Sequence, residues 1–217
     1  MLTVAENISA VRLRIAAAAT QARRDSTTIK LVAVSKTVAK DRCLEAVAAG
    51  QPLLGENYAQ ELRDKAPLVP GARWHFIGPL QRNKVKYVVG TAELIHSVSD
   101  QSLLEEIATR AEHRALIQRC LIQVNVGDEA QKSGCAAAEL DALLERATQL
   151  PSVKIEGLMC IPPAQGDPRP HFVALRLLAE RHRLTELSMG MSSDFESAIL
   201  EGATLVRVGS AIFGARN

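Results

Sequence analysis

Lys36 is the residue of this sequence that is best placed to do covalent chemistry. It follows the apolar run 31–35, in which Val32 and Val34 share a face with Lys36 by the two-residue period of a strand. A lysine that faces a protein interior is costly to bury as a cation unless it is paired or deprotonated. Only the neutral amine attacks a carbonyl, so Lys36 is a candidate for Schiff-base formation. On position alone, a strand-end lysine that extends to water is an equally good interpretation.

Two later segments have the composition of a phosphate site. Residues 187–196 indicate a strand, a glycine-containing turn and a helix start, with Ser193 and Glu196 at capping-box spacing. Residues 207–214 lie at the end of the last apolar run and also contain glycine and serine. Backbone N–H groups and serine hydroxyls at the start of a helix bind phosphate. An ordinary serine cap would explain the first segment alone, whereas the two segments together favour a phosphate site.

The elements that must position these residues alternate along the chain. Eight short runs predict strands, at Leu31–Lys36, Leu53–Glu56, Arg73–Gly78, Glu93–Val98, Cys120–Val126, Lys154–Ile161, Glu186–Met191 and Leu205–Ser210. Helical periodicity lies between them, for example at Asp41–Ala49, Tyr58–Ala66, Gln81–Val89, Ser102–Ala115 and Ala137–Leu150. Alternating strands and helices indicate a parallel sheet, and eight such units in about 200 residues fit a (β/α)8 barrel. A doubly wound open sheet is the alternative, but its glycine-rich fingerprint is missing after the first strand.

The barrel prediction brings the candidate residues together. Active sites of such barrels form at the C-terminal ends of the strands, and the loops after strands seven and eight frequently bind phosphate. Segments 187–196 and 207–214 are those two loops, and Lys36 ends strand one, which neighbours strand eight in a closed barrel. A lysine beside a phosphate site describes a cofactor with an aldehyde at one end and a phosphate at the other.

Residues 1–25 are predicted to form an extra N-terminal helix that packs on the barrel. Thr3 and Glu6 have capping-box spacing, and an apolar face follows at Ile8, Val11, Ile15 and Ala18. Its basic residues are expected to form a solvated face, with an acidic partner or a membrane surface as the alternative; they are Arg12, Arg14, Arg23 and Arg24. No linker rich in Pro, Gly or Ser divides the chain, so residues 1–217 are predicted to form one domain.

Composition excludes several classes of partner. Lys and Arg number 26 against 24 acids, and aromatic residues make up 3%, which argues against nucleic-acid binding. No signal peptide or membrane span is predicted, and the four cysteines lack a C-x-x-C spacing, so we expect a cytoplasmic protein with reduced thiols. His75 and His96 end predicted strands without a metal-ligand spacing, so no metal site is predicted.

The motifs, taken in order, resemble the pyridoxal phosphate homeostasis protein family over nearly the whole chain from residue 31. They are Val34–Lys36, Gly55–Tyr58, Trp74–Gly78, Leu80–Lys84, Lys132–Gly134, Gly157–Met159, Leu187–Ser192, Val206–Gly209 and the end of the segment at Phe213–Gly214. The resemblance implies a single barrel like the alanine racemase N-terminal domain (PLP fold type III), with pyridoxal 5′-phosphate (PLP) bound as an internal aldimine. It further implies a protein that buffers PLP or delivers it to apo PLP-dependent enzymes, with no established catalysis. We expect this protein to be a monomer.

The resemblance also implies roles for six residues, none of them catalytic. Lys36 resembles the Schiff-base lysine, Asn57 a contact at the polar edge of the ring, and Arg207 the arginine that faces the pyridine nitrogen. The phosphate contacts are Ser192, Gly209 and Ser210. An arginine beside that nitrogen disfavours its protonation, which weakens the ring as an electron sink.

Three functions stay open at this point. A cofactor carrier is favoured by the arginine and by the expectation that no second domain, the source of a partner acid or base in the resembling racemases, follows the last barrel motif. A single-domain PLP-dependent racemase or lyase of low activity is the alternative. The third is an aldolase that uses Lys36 without a cofactor and binds a sugar phosphate.

Overall fold

Eight parallel strands close into a barrel in the computed structural model, which describes residues 2–127 and 133–214. The strands are β1 (Lys30–Val34), β2 (Leu53–Glu56), β3 (Arg73–Phe76), β4 (Leu94–Val98), β5 (Gln118–Gln123), β6 (Val153–Met159), β7 (Glu186–Ser188) and β8 (Leu205–Val208). Each strand pairs in parallel with the next in sequence, and β1 pairs with β8 to close the barrel. The predicted (β/α)8 barrel is therefore confirmed, and the open doubly wound sheet is excluded.

Helices cover the outside of the barrel. They are α1 (Val4–Gln21), α2 (Lys40–Ala48), α3 (Ala59–Lys65), α4 (Gln101–His113), α5 (Leu140–Thr148), α6 (Arg169–Arg181), α7 (Phe195–Leu200) and α8 (Ser210–Phe213). Short 3-10 segments lie at Ser26–Thr28, Ala66–Leu68, Arg82–Tyr87 and Ala137–Glu139.

The helix predicted between β3 and β4 is instead a 3-10 segment, Arg82–Tyr87. The fully buried Val85 in this segment and Val88 directly after it are three residues apart, which is the repeat of a 3-10 helix. Apolar residues every third or fourth position fit either helix type, so the sequence pattern alone did not separate them.

The barrel interior follows the two-residue period of the strands. One part of the interior is filled by a layer of apolar side chains, formed by Val32, Leu53, Leu94, Leu121, Met159 and Leu205. Further toward the C-terminal ends of the strands, the buried inward positions are polar, among them His75, His96, Ser188 and Arg207. The apolar layer thus supports a polar layer at the end of the barrel where Lys36 lies.

The N-terminal helix α1 forms as predicted. Thr3 Oγ1 accepts from Glu6 N at 3.2 Å, and Thr3 N donates to Glu6 Oε2 at 2.7 Å, which completes the capping box. The predicted apolar face is buried, at Ile8, Val11, Ile15 and Ala18. This face packs against α2, α7 and α8.

The basic face predicted for the N-terminal helix is exposed to solvent at Arg12, Arg14 and Arg23, and two of these residues also contact other elements. Arg14 forms an ion pair of 2.6 Å with Glu196 and lies over the ring of Phe195, 4.5 Å from its centroid. Arg12 donates to the carbonyl oxygen of Gly50 at 2.6 Å. These contacts exist because α1 lies beside the loops that follow other barrel elements, which the sequence pattern of a single helix does not reveal.

All four cysteines are buried free thiols, as expected. Within residues 2–127 and 133–214, no helix has the length and apolar character that a membrane crossing requires. The same ranges hold no cluster of three or more His, Cys, Asp or Glu side chains suited to a metal ion.

Candidate ligand-binding cavity

A cavity of about 340 Å³ lies at the C-terminal ends of the strands. Its size is within the range of small-molecule sites. The six residues singled out from the sequence all line it, namely Lys36, Asn57, Ser192, Arg207, Gly209 and Ser210. Val34, Ile77, Ile161, Met191 and Ser193 complete the wall. The structure therefore brings residues from distant parts of the chain to one place, as the barrel prediction required.

Lys36 lies just beyond the end of β1 and is half-buried. Val34, two residues earlier, also lines the cavity, so the inward face predicted from the sequence is present. Thr37 follows with a φ of 59°, in the left-handed region. That conformation turns the chain sharply away from the strand direction directly after Lys36.

Asn57 follows β2, and a close backbone contact places it. A Cβ atom at Gly78 would lie 2.2 Å from the carbonyl oxygen of Asn57, so only glycine fits at position 78. Asn57 N donates to Glu56 Oε2 at 3.1 Å. Asn57 Oδ1 is buried and has no hydrogen-bond donor among the described residues. Because a buried acceptor without a donor is costly, this oxygen indicates a group that a ligand would supply.

The two segments predicted to bind phosphate are joined to each other. Gly209 N donates to Ser192 Oγ at 3.3 Å, and Arg207 N donates to the carbonyl oxygen of Gly190 at 3.0 Å. Gly190 has a φ of 88°, and a Cβ there would lie 2.6 Å from Ala198 Cβ. A glycine is therefore required at this turn.

The capping box predicted at Ser193 and Glu196 is wrong. The helix α7 begins at Phe195 and follows Asp194, whose Oδ1 accepts from Met191 N at 2.6 Å. Glu196 is engaged by Arg14 of α1 instead. This long-range ion pair overrides the local spacing that suggested the box.

Arg207 is the first member of a buried chain of hydrogen-bonded side chains that no sequence pattern indicated. Arg207 Nη1 donates to Ser188 Oγ at 2.6 Å, and Nη2 donates to the carbonyl oxygen of Cys160 at 2.9 Å. Ser188 Oγ lies 2.8 Å from His96 Nδ1, and His96 Nε2 lies 2.9 Å from His75 Nδ1. Ser188 Oγ accepts from Arg207, and the tautomers of the two rings set the direction of the hydrogen bonds at His96.

Burial determines the charges in this chain of groups. It lowers the pKa of His75 to about 3 and the pKa of His96 well below its usual value, so both imidazoles are neutral at pH 7. Burial also lowers the pKa of Arg207, but a guanidinium stays protonated in proteins. The positive charge of Arg207 therefore lies in the cavity wall with two neutral rings behind it.

Of the motif at residues 132–134, Lys132 lies outside the described residues. The carbonyl oxygen of Ser133 accepts from Gln123 Nε2 at 2.8 Å, which joins this segment to the end of β5. The contact accounts for the position of Ser133 relative to the barrel.

Comparison with known proteins places the barrel first in a class and then in a family. Residues 7–217 match the family model described as alanine racemase, N-terminal domain, so the chain is a barrel of the alanine racemase type. A pyridoxal phosphate homeostasis protein of Aquifex aeolicus is 42% identical over an alignment of 226 positions, which covers 99% of this chain and 99% of that protein. The chain belongs to the pyridoxal phosphate homeostasis protein family.

Two solved structures of PipY from Synechococcus elongatus share the fold. The structure without PLP has a TM-score of 0.88 and 35% identity, and covers 98% of this chain and 100% of that chain. The structure with PLP bound has a TM-score of 0.84 and 34% identity, with coverage of 98% and 100%. The family resemblance stated from the motifs is thereby confirmed.

Proposed function

We propose that this chain binds PLP in the cavity, holds it covalently through Lys36, and serves the intracellular homeostasis of that cofactor. The observation that carries the proposal is the meeting of Lys36 with the Ser192 and Gly209 segments in one cavity. Relatives named pyridoxal phosphate homeostasis protein, and the PipY structure with PLP bound, support it. Residues 1–217 would act as one PLP-binding domain, in a monomer located in the cytoplasm.

The groups that line the cavity fit PLP in kind and number. The hydroxyls of Ser192 and Ser210 and the backbone N–H groups at the start of α8 suit a phosphate. Arg207 would donate to the ring nitrogen. Asn57 Oδ1, which has no donor among the described residues, would accept a hydrogen bond from a ring hydroxyl. Lys36 is the amine for the aldehyde.

PLP supplies an aldehyde and a ring that can act as an electron sink. The neutral amine of Lys36 would attack the aldehyde carbon; a C=N bond forms, the C–O bond breaks, and the oxygen leaves as water. Arg207 disfavours a second cation at the ring nitrogen, which keeps that nitrogen unprotonated and the ring a poor electron sink. This favours a protein that holds and releases PLP over a racemase or lyase.

The first experiment measures the visible absorbance of the purified protein with added PLP, before and after borohydride, followed by peptide mass spectrometry. We expect a band that bleaches and a phosphopyridoxyl group on Lys36. Lys36→Ala should lose both signals, whereas the exposed Lys40→Ala should keep them. A protein that stays colourless and unlabelled would refute the proposal and favour the aldolase.

Delivery to apo PLP-dependent enzymes is tested separately. The PLP-loaded protein is mixed with an apo-enzyme in the presence of a phosphatase that destroys free PLP. Reactivation of the apo-enzyme under these conditions is the expected result. If free PLP reactivates the apo-enzyme without phosphatase but the loaded protein never does, the delivery role is wrong and storage alone remains.

A further inference from the structure

A second lysine, Lys65 at the end of α3, is buried close to the backbone that precedes Lys36. Its residue is 9% exposed, and its Nζ lies 2.8 Å from Glu56 Oε1 and 2.6 Å from Glu61 Oε1. The same Nζ donates to the carbonyl oxygen of Ser35 at 2.7 Å. An ammonium has three N–H donors, and these three acceptors use all of them.

The acceptors around Lys65 reach both chain neighbours of Lys36. On one side, Ser35 Oγ donates to Glu56 Oε1 at 3.0 Å. On the other side, Thr37 N donates to Glu61 Oε1 at 2.8 Å. The residues before and after Lys36 are thus attached to one buried cluster, which we call the Lys65 cluster (Glu56, Glu61 and Lys65).

The hydrogen bond from Thr37 N to Glu61 stabilises an unfavourable backbone conformation at Thr37. A left-handed φ is unfavourable for a β-branched residue and costs on the order of 1–3 kcal/mol. Thr37 adopts it with a φ of 59° while its N–H is held by Glu61. The hydrogen bond to a carboxylate offsets part of that cost, so the turn directly after Lys36 depends on Glu61.

The Lys65 cluster also touches the second strand of the site. Glu56 is fully buried, and its second oxygen, Oε2, accepts from Asn57 N at 3.1 Å. One carboxylate therefore joins the end of β1 to the backbone of Asn57. A change in the cluster moves both residues relative to each other.

Lys65 supplies the positive charge that compensates the two carboxylates of the cluster. Burial raises the pKa of the Glu56 carboxyl, against the hydrogen bond from Lys65, which lowers it. Burial lowers the pKa of Lys65, but the hydrogen bonds to Glu56 and Glu61 together raise it above its usual value. Removing Lys65 leaves the buried Glu56 carboxylate without a counter-charge, whereas removing Glu61 leaves the Lys65–Glu56 pair in place.

We propose that Glu56, Glu61 and Lys65 are positioning residues for Lys36, which set the rate at which its amine captures an aldehyde in the cavity. The inference rests on the proposed function. It follows from the two hydrogen bonds that fix the backbone on either side of Lys36. The cluster itself does not line the cavity, so affinity for the ring and phosphate should depend on it far less.

The test compares the rate of covalent capture with the affinity for an aldehyde-free probe. Capture of PLP is followed by stopped-flow absorbance, and affinity is measured with 4-deoxypyridoxine 5′-phosphate. We expect Glu61→Ala and Lys65→Met to slow capture by about 10- to 100-fold, as misplacement of a reacting group does. The dissociation constant of the probe should change by less than about twofold.

Two further variants separate positioning from general damage. Glu61→Gln keeps an oxygen for Thr37 N and should restore most of the capture rate lost in Glu61→Ala. Asp64→Ala, on the same helix with a side chain 61% exposed, should capture PLP at the wild-type rate. Because Lys65→Met leaves Glu56 buried without its partner and could prevent folding, the comparison at Glu61, which is partly exposed, decides the matter.

The outcomes are distinct. Capture by Glu61→Ala at the wild-type rate would overturn the inference. Equal losses of capture rate and probe affinity would also overturn it, because they indicate a collapsed cavity. If the wild-type protein captures no PLP, the proposed function fails and the inference fails with it.

Discussion

Arg207 keeps its position in the cavity wall because of the groups behind it. Arg207 is 4% exposed, and its guanidinium donates to Ser188 Oγ. Ser188 is hydrogen-bonded to His96, and His96 to His75. Each polar atom named here therefore has a hydrogen-bond partner. Removing a central member exposes unpaired polar groups on both sides of it.

Ser188→Ala tests this chain at its centre. The variant removes the acceptor of Arg207 Nη1 and the hydrogen-bond partner of His96 Nδ1, so we expect the free energy of unfolding to fall by about 1–3 kcal/mol. Denaturant unfolding of the cofactor-free protein measures the change. Ser193→Ala, at an exposed position, is the control and should be neutral. A Ser188→Ala protein as stable as the wild type would show that the chain contributes nothing.

The pH dependence of stability reports on His75. Its pKa is about 3 in the folded protein because of burial, against about 6.5 unfolded, so below pH 6.5 the unfolded state binds more protons. The neutral ring contributes stability above pH 6.5, and that contribution is lost as the pH falls toward 3. Between pH 7 and pH 5 the loss from this group is about 2 kcal/mol.

His75→Asn isolates that contribution, since asparagine does not titrate and its amide can donate to His96 Nε2 or accept from it. The variant should lose about 2 kcal/mol less than the wild type between pH 7 and pH 5, measured by denaturant unfolding at both pH values. His113→Asn, at an exposed site, should follow the wild type. Identical pH dependence in all three proteins would contradict a neutral buried His75.

At the scale of elements, α1 holds the two short helices that carry the proposed phosphate segments. Asn7 Nδ2 donates to the carbonyl oxygen of Ile212 in α8 at 2.9 Å. Arg24 Nη1 donates to the carbonyl oxygen of Ile199 in α7 at 3.0 Å, and Arg14 pairs with Glu196. Helices of four and six residues have little stability of their own, so α1 supplies it through these contacts.

Asn7→Ala should therefore weaken binding at a distance. Loss of the hydrogen bond to α8, worth about 1 kcal/mol, predicts a roughly fivefold rise in the dissociation constant of 4-deoxypyridoxine 5′-phosphate. Equilibrium titration measures it. Ser9→Ala, on the exposed side of α1, serves as control. An unchanged constant in Asn7→Ala would mean that α8 keeps its place without α1.

For the whole molecule, a ligand that contacts β1, β2, β7 and β8 should stabilise the closed barrel. At a PLP concentration 100 times the dissociation constant, linkage adds about 2.7 kcal/mol, which raises the melting temperature by roughly 5–10 °C. Pyridoxal, which lacks the phosphate, should give a smaller shift at equal concentration. Equal shifts from the two compounds would exclude a role for the Ser192 and Gly209 segments in binding.

Much of this architecture could be predicted from the sequence, because strand period and polar strand ends are local signals. The barrel, Lys36 and the two segments predicted to bind phosphate were found in this way, and the family resemblance of the motifs singled out the six cavity residues. The Lys65 cluster was not found, since Glu61 and Lys65 have the spacing of an ordinary surface ion pair, and Lys65 becomes buried only when α3 packs against β2 and β3. The hydrogen bond between His96 and Ser188 likewise depends on the register across the barrel, which no local pattern contains.

The seam between β1 and β8 has a consequence for the order of events during synthesis. Lys36 leaves the ribosome before β2 to β8, whereas Arg207, Gly209 and Ser210 leave it after β1 to β7, and the two groups meet only when β1 pairs with β8. A nascent chain that lacks the last strand has the amine but half a cavity. A ligand of this site cannot guide the early folding of the chain; it can only secure a barrel that has already closed.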